Sequence, residues 1–159
     1  MNRELPGLLA ARLGGPLPEA AATARFEPRS ELWRHDDPPP PDARSAAVLV
    51  LLYPHEDRWH VPLTLRPPHL AAHAGQVSLP GGAIGPGETS RAAALREFHE
   101  ELGAVGESIQ ILGPLSPIYV RASNFRVEPW VGAAGRRPAM PPNPAEVAEL
   151  LEIPVRYLV

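Results

Sequence analysis

The 159-residue chain contains neither cysteine nor lysine. Without cysteine there are no disulfides, thiolate metal sites or cysteine nucleophiles, so any metal must be held by oxygen or imidazole. Without lysine all 15 basic residues are arginine, and phosphate recognition falls to guanidinium forks, backbone N–H groups or a metal. A Walker-type phosphate loop, which needs its lysine, is excluded. No apolar run approaches the ~20 residues needed to cross a bilayer, and the opening MNRELPGLLAARLGG lacks the apolar core of a signal peptide. The chain therefore reads as soluble and cytoplasmic, with no membrane partner. Its net charge is −3 and its arginines are scattered, so the basic footprint of a duplex nucleic-acid binder is missing. A small phosphorylated substrate is compatible with this balance.

Hydrophobic residues make up 44% of the chain and charged residues 21%, which suits one ordinary domain with a real core. The 22 prolines gather in DDPPPPD at 36–42 and RPAMPPNP at 137–144, marking irregular segments. Residues 1–43 read as an N-terminal arm with a short helical stretch at Leu5–Leu13, and residues 44–159 as the domain. Ser45–Tyr53 and Trp59–Arg66 read as strands joined by a turn at Pro54–Arg58, with Pro62 arguing for an edge or a bulge. Ser90–Leu102 reads as a helix: Leu95, Phe98 and Leu102 share one stripe, Thr89 or Ser90 can cap its start and Gly103 can end it. Ser108–Leu112, Pro117–Val120 and Phe125–Val131 read as strands, and Ala145–Leu151 as a short helix. Mixed strands around one central helix predict an α/β or α+β sandwich.

The chemistry concentrates in GAIGPGETSRAAALREFHEELGA, Gly82 to Ala104. Glu97, Glu100 and Glu101 stand at i, i+3 and i+4 and project from one helix face beside the apolar stripe. Carboxylates this close repel and raise one another's pKa unless a cation sits among them. Hard oxygen ligands favour Mg²⁺ or Mn²⁺. Arg96 is within reach of Glu100 along the helix and of Glu88 in the preceding loop, a positioning role. The bland alternative is a solvated acidic helix face, but the fixed spacing of upstream glycines, Glu88 and Arg96 argues against it.

Gly82, five residues, Glu88, seven residues, Arg96-Glu97-Phe98, one residue, Glu100-Glu101, one residue and Gly103 together match the Nudix signature; Ala104 stands where that family prefers a larger aliphatic residue. The chain thus resembles the Nudix hydrolases, which implies a sandwich with a mixed sheet and a catalytic loop-helix, and metal-dependent cleavage of a pyrophosphate bond in a nucleotide derivative. The resemblance further implies metal ligation by Glu97, Glu100, Glu101 and the carbonyl of Gly81, catalytic roles for Arg96, Glu97 and Glu100, and a homodimer as a common assembly. The general base in the family varies, leaving Glu97 or a later-loop glutamate, here Glu146, whose other reading is an exposed first-turn glutamate favourable to a helix dipole.

Upstream, LTLRPPHLAAHAGQVSLPGG resembles the motif of the coenzyme A pyrophosphatase branch through Leu63, Thr64, Arg66, Gly75, Pro80, Gly81 and Gly82. The passages at 123–132 and 143–158 also resemble that branch. This implies cleavage of coenzyme A to 3′,5′-ADP and 4′-phosphopantetheine, with Arg66, His73, Gly75 and Arg126 as substrate-binding candidates. Pro67, Ala71 and Leu79 depart from the motif, so ADP-ribose or nucleoside-triphosphate hydrolysis stands as the alternative, and a non-catalytic binding module as a third. Trp59 and Trp130 read as packing residues. Members of this branch continue beyond the position of Val159, so the chain is expected to be cut short there.

Overall fold

The computed structural model describes residues 3–17, 39–69, 74–103 and 109–158. In chain order these form α1 (Leu5–Leu13), β1 (Arg44–His55), β2 (Arg58–Leu65), β3 (Val77–Ser78), β4 (Gly81–Ala83), α2 (Ser90–Leu102), β5 (Gln110–Pro114), β6 (Ile118–Val120), β7 (Phe125–Ala133) and β8 (Glu149–Pro154). The α+β class expected from the sequence is the one found. Among the described residues, no helix is long and apolar enough to cross a membrane.

β1 is the spine. Along one edge it runs parallel to β7, with Leu49 opposite Trp130. On its other edge it pairs antiparallel with β4, Ala47 opposite Gly82, and further along with β2. The β1–β2 hairpin turns on two residues, Glu56 and Asp57, both at positive φ (48° and 57°). That conformation matches the twist of the flanking strands; Pro54 therefore lies inside β1 rather than in the turn. β5 and β6 extend the sheet antiparallel to β7. β8 lies along one edge of β2, while the other edge pairs with β1 as far as His60 and with β3 from Thr64. Pro62, which has no N–H to give, falls in the gap between those two ladders.

The alternation of β1 sends Ala47, Leu49, Leu51 and Tyr53 under α2, where they bury with Ala93, Ala94, Phe98 and Leu102. Removing Phe98 to alanine from such a site costs about 3–5 kcal/mol. On the opposite face Leu52, Val61 and Val131 form a smaller cluster covered by Leu9 and Leu13 of α1. The stretch expected to be helical at Leu5–Leu13 is so. Its Leu13 lies so close to β5 that a Cβ on Gly113 would meet Leu13 Cβ at 2.8 Å.

α2 begins at Thr89, whose hydroxyl accepts from the Ala92 N–H at 3.2 Å, and ends at Gly103 in the left-handed conformation. Both follow the expected cap chemistry. The helix expected at Ala145–Leu151 is not formed. A single turn closes on Asn143, whose carbonyl accepts from the N–H groups of Glu146 and Val147 at 3.0 and 2.8 Å, and the chain then extends into β8. Ala, Glu and Leu carry helix propensity, but β2 offers a free edge from His60 to Leu65, and tertiary pairing overrides a weak local preference.

Candidate active site

Three carboxylates converge at one end of the β1–α2 layer. Ligand oxygens of Glu97, Glu101 and Glu146 all lie within 4.8 Å of one another. Glu97 and Glu101 are consecutive turns of α2, and Glu146 arrives from the proline-rich connection between β7 and β8. Helix spacing alone thus supplies two of the three, and a distant turn supplies the third. Glu100, expected in the same cluster, is turned outward: its side chain is 48% exposed and pairs with Arg96.

Arg96 organises the approach to the cluster. Nε and Nη2 donate to Glu88 at 2.9 and 3.0 Å. Nη1 donates to Glu97 at 2.7 Å and to Glu100 at 3.0 Å, and Nη2 also reaches the Ala83 carbonyl at 3.0 Å. A guanidinium has five N–H donors, so this one is fully committed to the protein. Glu88 also accepts from the Gly85 N–H at 2.9 Å. The Arg96 bonds and then the Gly85 N–H hold its carboxyl below the usual range, and the guanidinium is correspondingly held charged by Glu88 and Glu97. The loop before α2 is thereby tied to the helix that it precedes.

Glu101 is only 2% exposed. Burial pushes its carboxyl up to about 7, against the Gly81 N–H and the Arg66 charge that favour the anion; Glu97 and Glu146 add to the rise. Arg66 Nη1 stands 3.8 Å from Glu101 Oε1, too far for a good hydrogen bond. Glu101 Oε2 and Arg66 Nε are buried without a hydrogen-bond partner. Buried polar atoms in folded chains are nearly always satisfied. A carboxyl with one orphaned oxygen, grouped with two further carboxylates, is therefore suited to a hard cation.

Two glycines let the backbone pass beneath this cluster. A Cβ on Gly82 would sit 2.4 Å from the Glu97 carboxyl carbon, and one on Gly81 would meet the Ala47 carbonyl at 2.3 Å. Beyond them lies a cleft of about 320 Å³, bounded by Ala46, Val48, Arg66, Gly82, Phe125 and Val127. It opens on the face of β1 opposite α2, so carboxylates and cleft meet at the β4 glycines and at Arg66.

The remaining sequence candidates are dispersed. Gly75, at φ +69° with open space around it, closes the loop between β2 and β3 by donating to the Arg66 carbonyl at 3.1 Å. Arg126 pairs closely with Glu128 on the β7 face opposite Phe125 and Val127, and is not brought to the cleft. Glu128 also accepts from Ser90, its main stabilisation. The same hydroxyl accepts from Trp130 Nε1 at 3.1 Å, anchoring the start of α2. His73, Ala71 and Ala104 lie outside the described residues, as does Ser108, the first residue of the strand expected there.

The NUDIX domain model matches residues 43–155. The chain belongs to the Nudix family. This Nudix chain is similar to Nudix hydrolase 3 of Caenorhabditis elegans, 39% identical over 122 residues that cover 74% of it and 51% of the relative. It is also similar to the NudL Nudix hydrolase of Pectobacterium atrosepticum, 43% identical over 115 residues, covering 70% of it and 58% of the relative. Among solved structures, the Nudix hydrolase RenU of M. smegmatis matches with a TM-score of 0.61 and 25% identity over 73% of each chain. The Nudix chain thus spans between half and three-fifths of the length of these two curated relatives.

Sequence reasoning missed Asn143. Its N–H donates to the Glu101 carbonyl at 2.8 Å, its Oδ1 accepts from the Ala145 N–H at 3.1 Å, and its Nδ2 points to Glu146 Oε1 at 3.4 Å. The signal was present as Asn-Pro-Ala-Glu, in which asparagine caps its own turn.

Proposed function

We propose that the chain is a Mg²⁺- or Mn²⁺-dependent pyrophosphohydrolase of a nucleotide derivative, and that coenzyme A is its substrate. The observation that carries the first part is the buried, unpartnered Oε2 of Glu101 beside the Glu97 and Glu146 carboxylates. These three side chains, with the Gly81 carbonyl, are the groups that would hold the cation. When bound, the cation neutralises pyrophosphate oxygens and makes a water nucleophilic near neutral pH.

The protein's part is to hold these groups still and to handle the proton. Arg96 keeps Glu97 aimed inward by occupying its Oε1, and shares the same Nη1 with Glu100. Because the charged Arg96 holds Glu97 at 2.7 Å whereas the neutral Asn143 Nδ2 stands 3.4 Å from Glu146, we assign acceptance of the water proton to Glu146. Arg66 lines the cleft beside Glu101, and its guanidinium, 26% exposed, would meet a substrate phosphate. The apolar walls of the cleft, from Ala46, Val48 and Val127, suit a base or a pantetheine arm.

Coenzyme A is favoured by the resemblance of Leu63, Thr64, Arg66, Gly75, Pro80, Gly81 and Gly82 to the motif of the coenzyme A pyrophosphatase branch, from which Pro67, Ala71 and Leu79 depart. Incubating the chain with Mn²⁺ and, in parallel, coenzyme A, ADP-ribose and deoxynucleoside triphosphates tests both levels. The expected products are 3′,5′-ADP and 4′-phosphopantetheine. Faster turnover of ADP-ribose would overturn the coenzyme A assignment alone. Absence of turnover of all three, with Mn²⁺ bound, would overturn the hydrolase reading.

A further inference from the structure

The cluster depends on a meeting between two remote segments, and one side chain stands at the joint. Glu97 and Glu101 belong to α2 and move together. Glu146 lies on a turn in a connection of irregular backbone that leaves β7 at Ala133 and returns at Glu149. That connection is secured at several points: Ala134 N–H to the Leu52 carbonyl and Ala148 N–H to the Leu65 carbonyl, 2.9 and 2.8 Å, Arg137 to Glu152 through Nε and Nη2 at 2.7 and 2.9 Å, and burial of Met140 and Val147. All of these fasten it to the sheet or to the core beneath. It also touches the end of α2. Pro141 lies 3.0 Å from where a Gly103 Cβ would be, and the Asn143 N–H donates to the Glu101 carbonyl.

Asn143 is the element that converts this attachment into a position for a carboxylate. Its N–H reads the main chain of Glu101, itself a member of the cluster. Its carbonyl and Oδ1 wind the single turn that follows, accepting from Glu146, Val147 and Ala145. Its Nδ2 faces the carboxylate at the end of that turn. Five bonds at one residue thus span from one cluster member to another. Resting on the metal-centre reading above, we propose that Asn143 is a positioning residue. It sets the distance of Glu146 from the α2 carboxylates, and its side chain acts on the cation only through Glu146.

The test is titration with Mn²⁺ alone, following the free-ion EPR signal, for the unaltered chain, Asn143→Ala, Asn143→Ser, Glu146→Gln and the Asn143→Ala/Glu146→Gln pair. Removing a group that orients a metal ligand typically costs ten- to hundred-fold in affinity. Asn143→Ala should therefore bind Mn²⁺ about tenfold more weakly. Serine, whose hydroxyl can cap the Ala145 N–H, should recover most of that loss. In the Glu146→Gln background the alanine change should cost less than about twofold, because its route to the cation is already cut. Thermal unfolding of each variant separates this from general loss of structure: if Asn143→Ala does not fold, Asn143→Gly, which also lacks the side chain but is tolerated at a cap position, carries the cycle. Equal Mn²⁺ affinity of Asn143→Ala and the unaltered chain, or a full tenfold loss on top of Glu146→Gln, would overturn the proposal while leaving the metal centre standing. If the unaltered chain takes up no Mn²⁺, the metal-centre reading falls and this one with it.

Discussion

Replacing Glu101 by glutamine should stabilise the metal-free chain at alkaline pH while removing its ability to bind a cation. Burial raises the folded-state carboxyl from 4.5 to about 7. A carboxyl raised on folding favours the native state when protonated, so the stability is fully present below 4.5 and is lost as pH rises through 7. At roughly 1.4 kcal/mol per pH unit, the interval corresponds to a penalty of about 3 kcal/mol by pH 8. Glutamine keeps the shape and an oxygen for the Gly81 N–H but carries no charge. In EDTA at pH 8, Glu101→Gln should therefore melt roughly 10 °C above the unaltered chain. Below pH 5 the gap should narrow to under about 1 kcal/mol. Saturating Mn²⁺ should reverse the order, because only the unaltered chain gains binding energy linked to folding. Scanning calorimetry across pH 4.5–8.5 with and without Mn²⁺ reads all three. A difference independent of pH, or a less stable variant at pH 8 without metal, would refute the view that Glu101 is a buried and uncompensated carboxylate.

Arg96→Lys should behave almost as badly as Arg96→Ala, with Mn²⁺-dependent turnover reduced at least ~10-fold in steady-state assays, since an ammonium cannot reproduce a planar fork shared among Glu88, Glu97 and Glu100. Gly82→Ala forces a methyl into the Glu97 carboxyl; Mn²⁺ affinity should fall at least ~10-fold while far-ultraviolet circular dichroism stays native. Tyr53→Phe removes the 2.7 Å bond to Glu152 but leaves Arg137 on that carboxylate, so urea denaturation should show a loss of about 1 kcal/mol. The bond from Arg137, with lesser help from Tyr53, holds the Glu152 carboxyl below its ordinary value.

The parts of the fold written in local chemistry were legible. Thr89 and Gly103 bound α2 as cap preferences dictate, the apolar run of β1 became the central strand, and Phe125–Val131 lies within β7. The short β3 and β4 escaped notice because strands of two and three residues have no periodicity to read. The helix expected over Ala145–Leu151 gives way to a turn and to β8 because the state of Glu149–Leu151 is decided by β2, a partner more than eighty residues away. The site divides in the same way. Glu97 and Glu101 follow from an i, i+4 interval, and Arg96 was read as reaching Glu88 and Glu100. Glu146 could be singled out by residue type, but its meeting with α2 is a property of the folded connection. Nothing in the interval distinguishes Glu100 from its neighbours; in the fold it shares Arg96 Nη1 with Glu97 but lies outside the carboxylate cluster.

β1 faces α2 with alternate residues, while of the others Ala46 and Val48 face the cleft and Val50 and Leu52 the cluster under α1, with β4 paired along its edge. Any single insertion within this strand would exchange the two sets, moving Val48 into the seat of α2 and Leu49 into the cleft. Substitution at Ala46 or Val48, by contrast, reshapes what the cleft admits without touching the seating of the helix. Under the proposed function, a lineage could change its choice of molecule through a pair of small aliphatic side chains and keep its carboxylates in place, a separation built into the parity of one strand.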